Sequence, residues 1–221
     1  YDLIEDLRTN GYDVILLDFA NGADYVQNNA MLLVELINKV NDYKTTDETI
    51  VVGGASMGGQ VTRYALAYME KNNMPHCARM YISMDSPHKG ANIPLGLQHA
   101  FKFFAEDVGL EPAQNLLNLM LNRPASKQLM VYQIMPDGLT LRNQYINDIS
   151  LLGYPEKLRK IGVANGRQNA VGLDFSAGDQ LIWWNVCPLL CGCRILGHVW
   201  SINNFGNIIF SGKFPVIISG W

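Results

Sequence analysis

The chain lacks an excess of basic residues. Its 17 lysines and arginines stand against 20 aspartates and glutamates, which gives a net charge of −3 over 221 residues. No run of basic side chains is present that could follow a phosphate backbone. We therefore expect no nucleic-acid partner.

Long apolar runs are missing as well. No uninterrupted apolar stretch reaches the roughly 18 residues that a membrane-spanning helix needs. No secretory signal peptide opens the chain, and neither internal repeats nor low-complexity segments are visible. With 48% hydrophobic and 17% charged residues, the composition favours one globular domain with a sizeable core.

An initiator methionine is also absent, since the first residue is Tyr1. The sequence ends in an apolar stretch, residues 214–221, that reads as a strand. We therefore expect the natural chain to continue beyond both ends, and evidence on localisation to lie upstream of Tyr1.

The most informative motif that is present is a G-x-S-x-G pentapeptide centred on Ser56. Residues 49–53 before it are β-branched and apolar, as in a buried parallel strand. Residues 60–70 after it repeat apolar side chains at spacings of three and four, as in a helix. This context is typical of a nucleophile elbow, where a sharp strand-to-helix turn exposes the serine Oγ. The alternative is an ordinary glycine-rich turn between a strand and a helix.

Strand and helix patterns alternate through the first 84 residues. We predict helices at 2–9, 25–41 and 60–70, and strands at 13–19, 49–53 and 79–84. Alternation of this kind indicates a parallel sheet covered by helices on both faces.

The pattern changes after about residue 92. Residues 92–152 predict helices without a clear strand, either as a cap over the site or as plain helical packing. Strand patterns return at 160–165, and short ones follow at 180–184, 199–202 and 207–210. Residues 203–206 read as the turn of a hairpin between the last two.

These features resemble the α/β-hydrolase superfamily, in particular its lipase and esterase branch. Two motifs carry the resemblance: G-A-S-M-G-G-Q at 54–60, and D-S-P-H-K-G at 85–90 after the following strand. Many lipases and the inositol-deacylase-like proteins have a similar S-P-H-x-G sequence there. The resemblance covers residues 1 to about 92 and the strand near 160, and it fits 166–221 poorly.

The resemblance implies an α/β-hydrolase fold, with a mostly parallel sheet and helices on both faces. We expect one domain, residues 1–221, truncated at both ends. It would carry a helical cap insertion at 92–152 and a β-rich insertion with β-hairpins at 166–221.

By resemblance, Ser56 is the nucleophile and the backbone N–H of Met57 is one oxyanion-hole donor. Serine is a weak nucleophile unless a histidine takes its proton and an acid orients that histidine. The second oxyanion donor comes from a loop that we expect upstream of Tyr1.

The catalytic acid has several candidates. Asp85 directly follows the strand after the elbow, where some lipases keep their acid. The position more usual in the superfamily, near 165–166, has no carboxylate, and Asp174 and Asp179 are the nearest beyond it. Asp85 could instead accept backbone N–H bonds within its turn.

The histidine is chosen from four, of which only His198 follows the acid in chain order. His76 precedes a strand and should lie at the wrong end of the sheet, His88 belongs to the S-P-H turn, and His99 lies in the helical region. A histidine beyond Trp221 is the alternative to His198. We therefore expect these 221 residues alone to be a weak catalyst or an inactive one.

Cys187, Cys191 and Cys193 precede His198 in a string that invites a zinc interpretation. Because the spacing matches no known zinc pattern, we favour a disulfide or buried thiols, with connectivity open. No metal and no cofactor is expected, and Cys77 is expected to be a lone thiol.

The function expected from these residues is hydrolysis of carboxylic esters through a Ser56 acyl-enzyme, in a secreted or cell-envelope protein. The methionine after Ser56 and the apolar helical region favour lipophilic acyl substrates, and we expect a small-molecule or lipid ester as the substrate. Trp183 and Trp184 could contact lipid, a membrane surface or a partner, or pack in the core. The alternatives are an amide or peptide hydrolase on this fold, and a non-catalytic module that binds through its aromatic hairpins.

Overall fold

The computed structural model describes residues 3–164, 179–186, 195–200 and 210–213. Within these ranges the chain forms a parallel sheet and an antiparallel sheet of three strands each, with helices before, between and after the parallel strands. None of the helices in this part of the chain is long and apolar enough to cross a membrane.

The helices are α1 (Leu3–Thr9), α2 (Val26–Tyr43), α3 (Met57–Lys71), α4 (Leu95–Lys102), α5 (Glu111–Leu116), α6 (Pro124–Leu129) and α7 (Gly138–Leu152). Two π-helical turns, Phe103–Asp107 and Leu117–Leu121, continue α4 and α5. The strands are β1 (Ile50–Ala55), β2 (Ala78–Met84), β3 (Arg159–Val163), β4 (Gln180–Val186), β5 (Ile195–Trp200) and β6 (Phe210–Lys213).

The parallel sheet has the order β1-β2-β3, with β2 in the centre. Its register pairs Ala55 with Met84 and Met84 with Val163, so the three strands end at the same level. Because parallel strands have their carboxyl ends at one edge, the loops that leave this edge lie side by side. The predicted α/β architecture is confirmed.

The main core lies around α3, which packs against the sheet and against α2 and α7. Leu66 and Met69 of α3 are fully buried, and Tyr145 and Ile149 of α7 and Ile37 of α2 close around them. Burial of α3 on most of its surface holds the first turn of this helix firmly against the carboxyl ends of the strands.

The region 92–152 is helical, as the sequence predicts, but its two halves pack differently. Leu117, Leu121 and Met135 belong to a small separate core around α4 and α5. The helices α6 and α7 instead join the main core through residues such as Leu129 and Tyr145. Helix α7 is therefore part of the main core and packs against α3.

The predicted strand at 13–19 is wrong, because these residues have no regular secondary structure. Leu17 and Phe19 still pack against the core, whereas Ile15 and Leu16 are exposed. An apolar run becomes a strand only when a neighbouring strand accepts and donates its backbone hydrogen bonds. Among the described residues, no strand pairs with this segment.

The predicted strands at 160–165 and 180–184 are confirmed as β3 and β4. The predictions at 199–202 and 207–210 overlap β5 and β6 only at 199–200 and at Phe210, and the rest of both lies outside the described residues. β5 begins at Ile195, four positions before the predicted start, and β6 continues to Lys213. β4, β5 and β6 pair in that order as an antiparallel sheet. The predicted turn at 203–206 and the apolar stretch 214–221 lie outside the described residues.

Candidate active site

Ser56 lies at the turn between β1 and α3. Its backbone has φ 51° and ψ −123°, its side chain is exposed, and its N–H donates to the carbonyl of Met84 at 2.8 Å. A non-glycine residue reaches this region of φ only at a cost of about 1–3 kcal/mol. The paired strand before it and the buried helix after it hold this strained conformation in place.

The glycines around Ser56 explain how the helix approaches the strand so closely. A Cβ on Gly54 would overlap the backbone of Gly58, and a Cβ on Gly59 would overlap the side chains of Ser83 and Ser86. A Cβ on Gly58 itself would meet open space. Packing therefore requires Gly54, the first glycine of the pentapeptide, and Gly59, which follows the pentapeptide. It does not require Gly58, the second glycine of the pentapeptide.

Met57 is the first residue of α3 and is half-buried. The first N–H groups of a helix have no acceptor within that helix, and the helix dipole favours negative charge there. The N–H of Met57 therefore has the position and the electrostatic character of an oxyanion donor next to Ser56.

Asp85 stands beside Ser56 at the same edge of the sheet. It follows β2 by one residue, its φ is 48°, and its N–H donates to the carbonyl of Val163 at 2.6 Å. Its side chain is exposed. The structure therefore brings the predicted nucleophile and the first candidate for the acid to neighbouring strand ends.

The S-P-H turn after Asp85 is tied to the layers beneath it. The amide of Gln60 donates to the carbonyl of Pro87 at 2.6 Å, and Ser83 Oγ lies 2.7 Å from His88 Nε2. Burial, together with the nearby positive charge of Arg63, lowers the pKa of His88. Both effects favour the neutral form of the His88 ring, which is half-buried and held against Ser83 of β2.

His76 lies at the opposite end of the sheet, as predicted. Its Nδ1 accepts from the N–H of Ala78 at 2.9 Å, and its Nε2 lies 3.2 Å from the carboxylate of Glu70. An open groove of about 440 Å³ lies here, lined by Met74 and Lys157 among others. With both ring nitrogens engaged, His76 holds this loop in place.

The remaining two histidines lie on α4 and β5. His99 is exposed on α4. His198 lies in β5, opposite Trp183 of β4 and Ser211 of β6. The choice of His198 as the catalytic base stays a prediction. Of the other acid candidates, Asp179 precedes β4 and is exposed, whereas Asp174 lies outside the described residues.

Only part of the predictions on cysteines and metal binding falls within the described residues. Cys187, Cys191 and Cys193 lie outside the described residues, and Cys77 is an exposed free thiol. Within the ranges that the structure describes, no three His, Cys, Asp or Glu side chains converge on a position suited to a metal ion.

A buried polar contact below the site was missed by the sequence reasoning. Gln60 and Tyr145 are both buried, and the Tyr145 hydroxyl donates to the Gln60 amide oxygen at 3.1 Å. The available signal was the position of Gln60 in the first turn of the elbow helix, where a polar side chain faces the core. Tyr145 gave no comparable signal, because tyrosines are common in helix cores.

A parallel sheet that ends in a strained, exposed serine before a buried helix defines an α/β-hydrolase-like domain. A family model described as the PGAP1-like alpha/beta domain matches residues 18–153, and the chain belongs to this family. The family is of the α/β-hydrolase type. No curated protein and no solved structure matches the chain.

Proposed function

We propose that this protein is a serine hydrolase that cleaves carboxylic esters through a Ser56 acyl-enzyme. The observation that carries the proposal is the backbone of Ser56, which has φ 51° and leaves the residue exposed at the carboxyl edge of the sheet. Its ψ of −123° places Ser56 outside the left-handed helical region, and residues held in such sparsely populated regions cluster at active sites. Membership of an α/β-hydrolase-type family supports hydrolytic chemistry.

In this mechanism Ser56 Oγ attacks the ester carbonyl and its proton passes to a histidine, for which His198 is our candidate. Asp85 orients that histidine and stabilises its positive charge. The N–H of Met57 donates to the developing oxyanion. The histidine then protonates the departing alcohol, which leaves an acyl group on Ser56.

Hydrolysis of the acyl-enzyme completes the cycle. Water gives a proton to the same histidine and attacks the acyl carbonyl, and the bond to Ser56 Oγ breaks as that oxygen takes the proton back. The products are one carboxylic acid and one alcohol. The family is named after PGAP1, and PGAP1 proteins are lipid-remodelling esterases. This supports a lipid ester rather than an amide as the substrate.

The test is labelling of the chain with a fluorophosphonate probe, followed by intact-mass and peptide analysis. We expect one phosphonyl group per chain, on Ser56, and none on the Ser56→Ala variant. Ser150→Ala, which alters an exposed serine of α7, is the matched control and should label like the parent chain. Because prolonged incubation detects slow reaction, a weak catalyst still gives a stoichiometric signal.

Two results separate this proposal from its rivals. A chain that stays unlabelled at Ser56 after prolonged incubation contradicts the hydrolase mechanism and favours a binding module. Release of p-nitroaniline from an acyl anilide, faster than release of p-nitrophenol from the matching ester, points instead to an amide hydrolase. We expect the ester to react faster, with a rate that depends on acyl-chain length.

A further inference from the structure

The turn that carries Asp85 rests on a buried glutamine. Gln60 and Tyr145 are each 2% exposed. The Gln60 amide nitrogen donates to the carbonyl of Pro87 at 2.6 Å, and its amide oxygen accepts from the Tyr145 hydroxyl at 3.1 Å. One side chain therefore links the elbow helix α3, the turn after β2 and helix α7.

Packing alone does not call for an amide at this position. A buried polar group costs free energy unless its hydrogen bonds are made, and an apolar side chain of the same size would fill the space. Both ends of the Gln60 amide are bonded, so the orientation of the side chain is fixed. Because a carbonyl can only accept, Pro87 takes the nitrogen end of the amide, and the Tyr145 hydroxyl fixes the plane of the amide by donating to its oxygen.

The bond to Pro87 matters because the backbone leaves the sheet at Asp85. The ladder ends there with the N–H of Asp85 bonded to Val163, and the chain then turns away with φ 48°. Beyond this point the turn is held by local bonds, such as that from Gly90 N–H to the Pro87 carbonyl, and by Arg142 of α7, whose guanidinium donates to the Lys89 carbonyl at 3.2 Å. Gln60 adds the bond that ties the turn to the helix that starts at Ser56.

We propose that Gln60, oriented by Tyr145, is a positioning residue that sets the Asp85 turn relative to Ser56. The expected effect of Gln60 on catalysis rests on the proposed function of Ser56. A misplacement of about 1 Å between catalytic groups can lower a rate by about 100-fold. We therefore expect loss of the Gln60 bond to slow reaction at Ser56 by at least about 10-fold.

The test uses three single variants, one double variant and two independent measurements. Gln60→Met removes both hydrogen bonds at similar volume, and Tyr145→Phe removes only the bond that orients the amide. Gln128→Met is the matched control, because Gln128 is equally buried but bonds to Val26 and Gln27 of α2. Amide hydrogen exchange reports on the stability of the turn. The rate of Ser56 phosphonylation and its pH profile report on the candidate active site.

In Gln60→Met we expect faster exchange at the amides of His88 and Gly90 and slower phosphonylation of Ser56, with a changed pH profile. Tyr145→Phe should shift both measurements in the same direction by less. The double variant should equal Gln60→Met, since both residues act through one bond to Pro87. Gln128→Met should lower the melting temperature without changing either measurement.

The inference is wrong if Gln60→Met folds and the exchange rates at His88 and Gly90 do not change. It is also wrong if exchange becomes faster but the rate of Ser56 phosphonylation stays the same. If Gln60→Met does not fold, Tyr145→Phe decides in the same way. A parent chain in which Ser56 never reacts defeats the proposed function instead. Exchange then still decides whether Gln60 holds the turn.

Discussion

Ser56 and Asp85 occupy equivalent positions on neighbouring parallel strands. Each follows the last paired residue of its strand, and their φ angles are 51° and 48°. Each donates its N–H to the last residue of the next strand, Ser56 to Met84 and Asp85 to Val163. Because adjacent strands lie about 4.8 Å apart, the two residues leave the sheet side by side.

This relationship predicts the effect of Asp85→Asn. Asparagine tolerates a positive φ, so the turn should keep its shape while the charge that orients the histidine is lost. We expect the Ser56 phosphonylation rate to fall by about 100-fold or more, with little change in melting temperature. Asp137→Asn is the control, since Asp137 is also a non-glycine residue with positive φ, 59°, before α7. Equal rates in the two variants would argue against Asp85 as the acid.

The two glycines of the pentapeptide should respond in opposite ways to alanine. Gly54→Ala places a methyl group against the Gly58 backbone, and we expect a loss of about 1–3 kcal/mol in unfolding free energy. Gly58→Ala places it in open space at the start of a helix and should be neutral or stabilising by up to about 1 kcal/mol. Urea denaturation of both variants measures the difference. Similar losses in both would contradict the packing argument.

His88 should make the fold less stable in mild acid. Burial, then the charge of Arg63, lowers its pKa below the ordinary 6.5. The unfolded chain therefore takes up a proton before the folded one, and the stability present above pH 6.5 is lost as pH falls below it. Melting temperatures at pH 7.5 and 5.0 should differ less in His88→Gln than in the parent chain. Lys89→Gln, one residue on, should leave the difference unchanged.

Glu70 should affect stability without affecting the site. Burial raises its pKa, but the N–H groups of Glu156 and Lys157, together with His76, outweigh this and hold it below 4.5. The stability from these bonds is present above pH 4.5 and is lost as pH falls through the lower folded value.

We expect Glu70→Gln to lose about 1–3 kcal/mol at pH 7. The difference from the parent chain should shrink in acid. Phosphonylation of Ser56 at 20 °C should be unchanged, because Glu70 lies at the opposite end of α3. A slower reaction in the folded variant would show that the base of the helix is coupled to the site.

Local patterns were sufficient for the elbow and for most elements. The β-branched run before Ser56 and the spacing after it predicted β1 and α3, and the helical character of 92–152 was equally readable. The segment 13–19 has the same apolar character as β1, yet it lacks a paired neighbour in the described structure. Strand formation depends on hydrogen bonds to another segment, so composition could not separate the two.

The sequence by itself determined the class of fold, the position of the candidate nucleophile Ser56 and the need for a small residue at Gly54, because these follow from patterns and contacts of residues close in the chain. Only the tertiary structure decided that Asp85 stands beside Ser56, since strand register joins residues 29 positions apart. It alone decided that Gln60 bonds Pro87 and Tyr145. Burial, which makes those bonds necessary, exists only once α3 has packed between the sheet and α7.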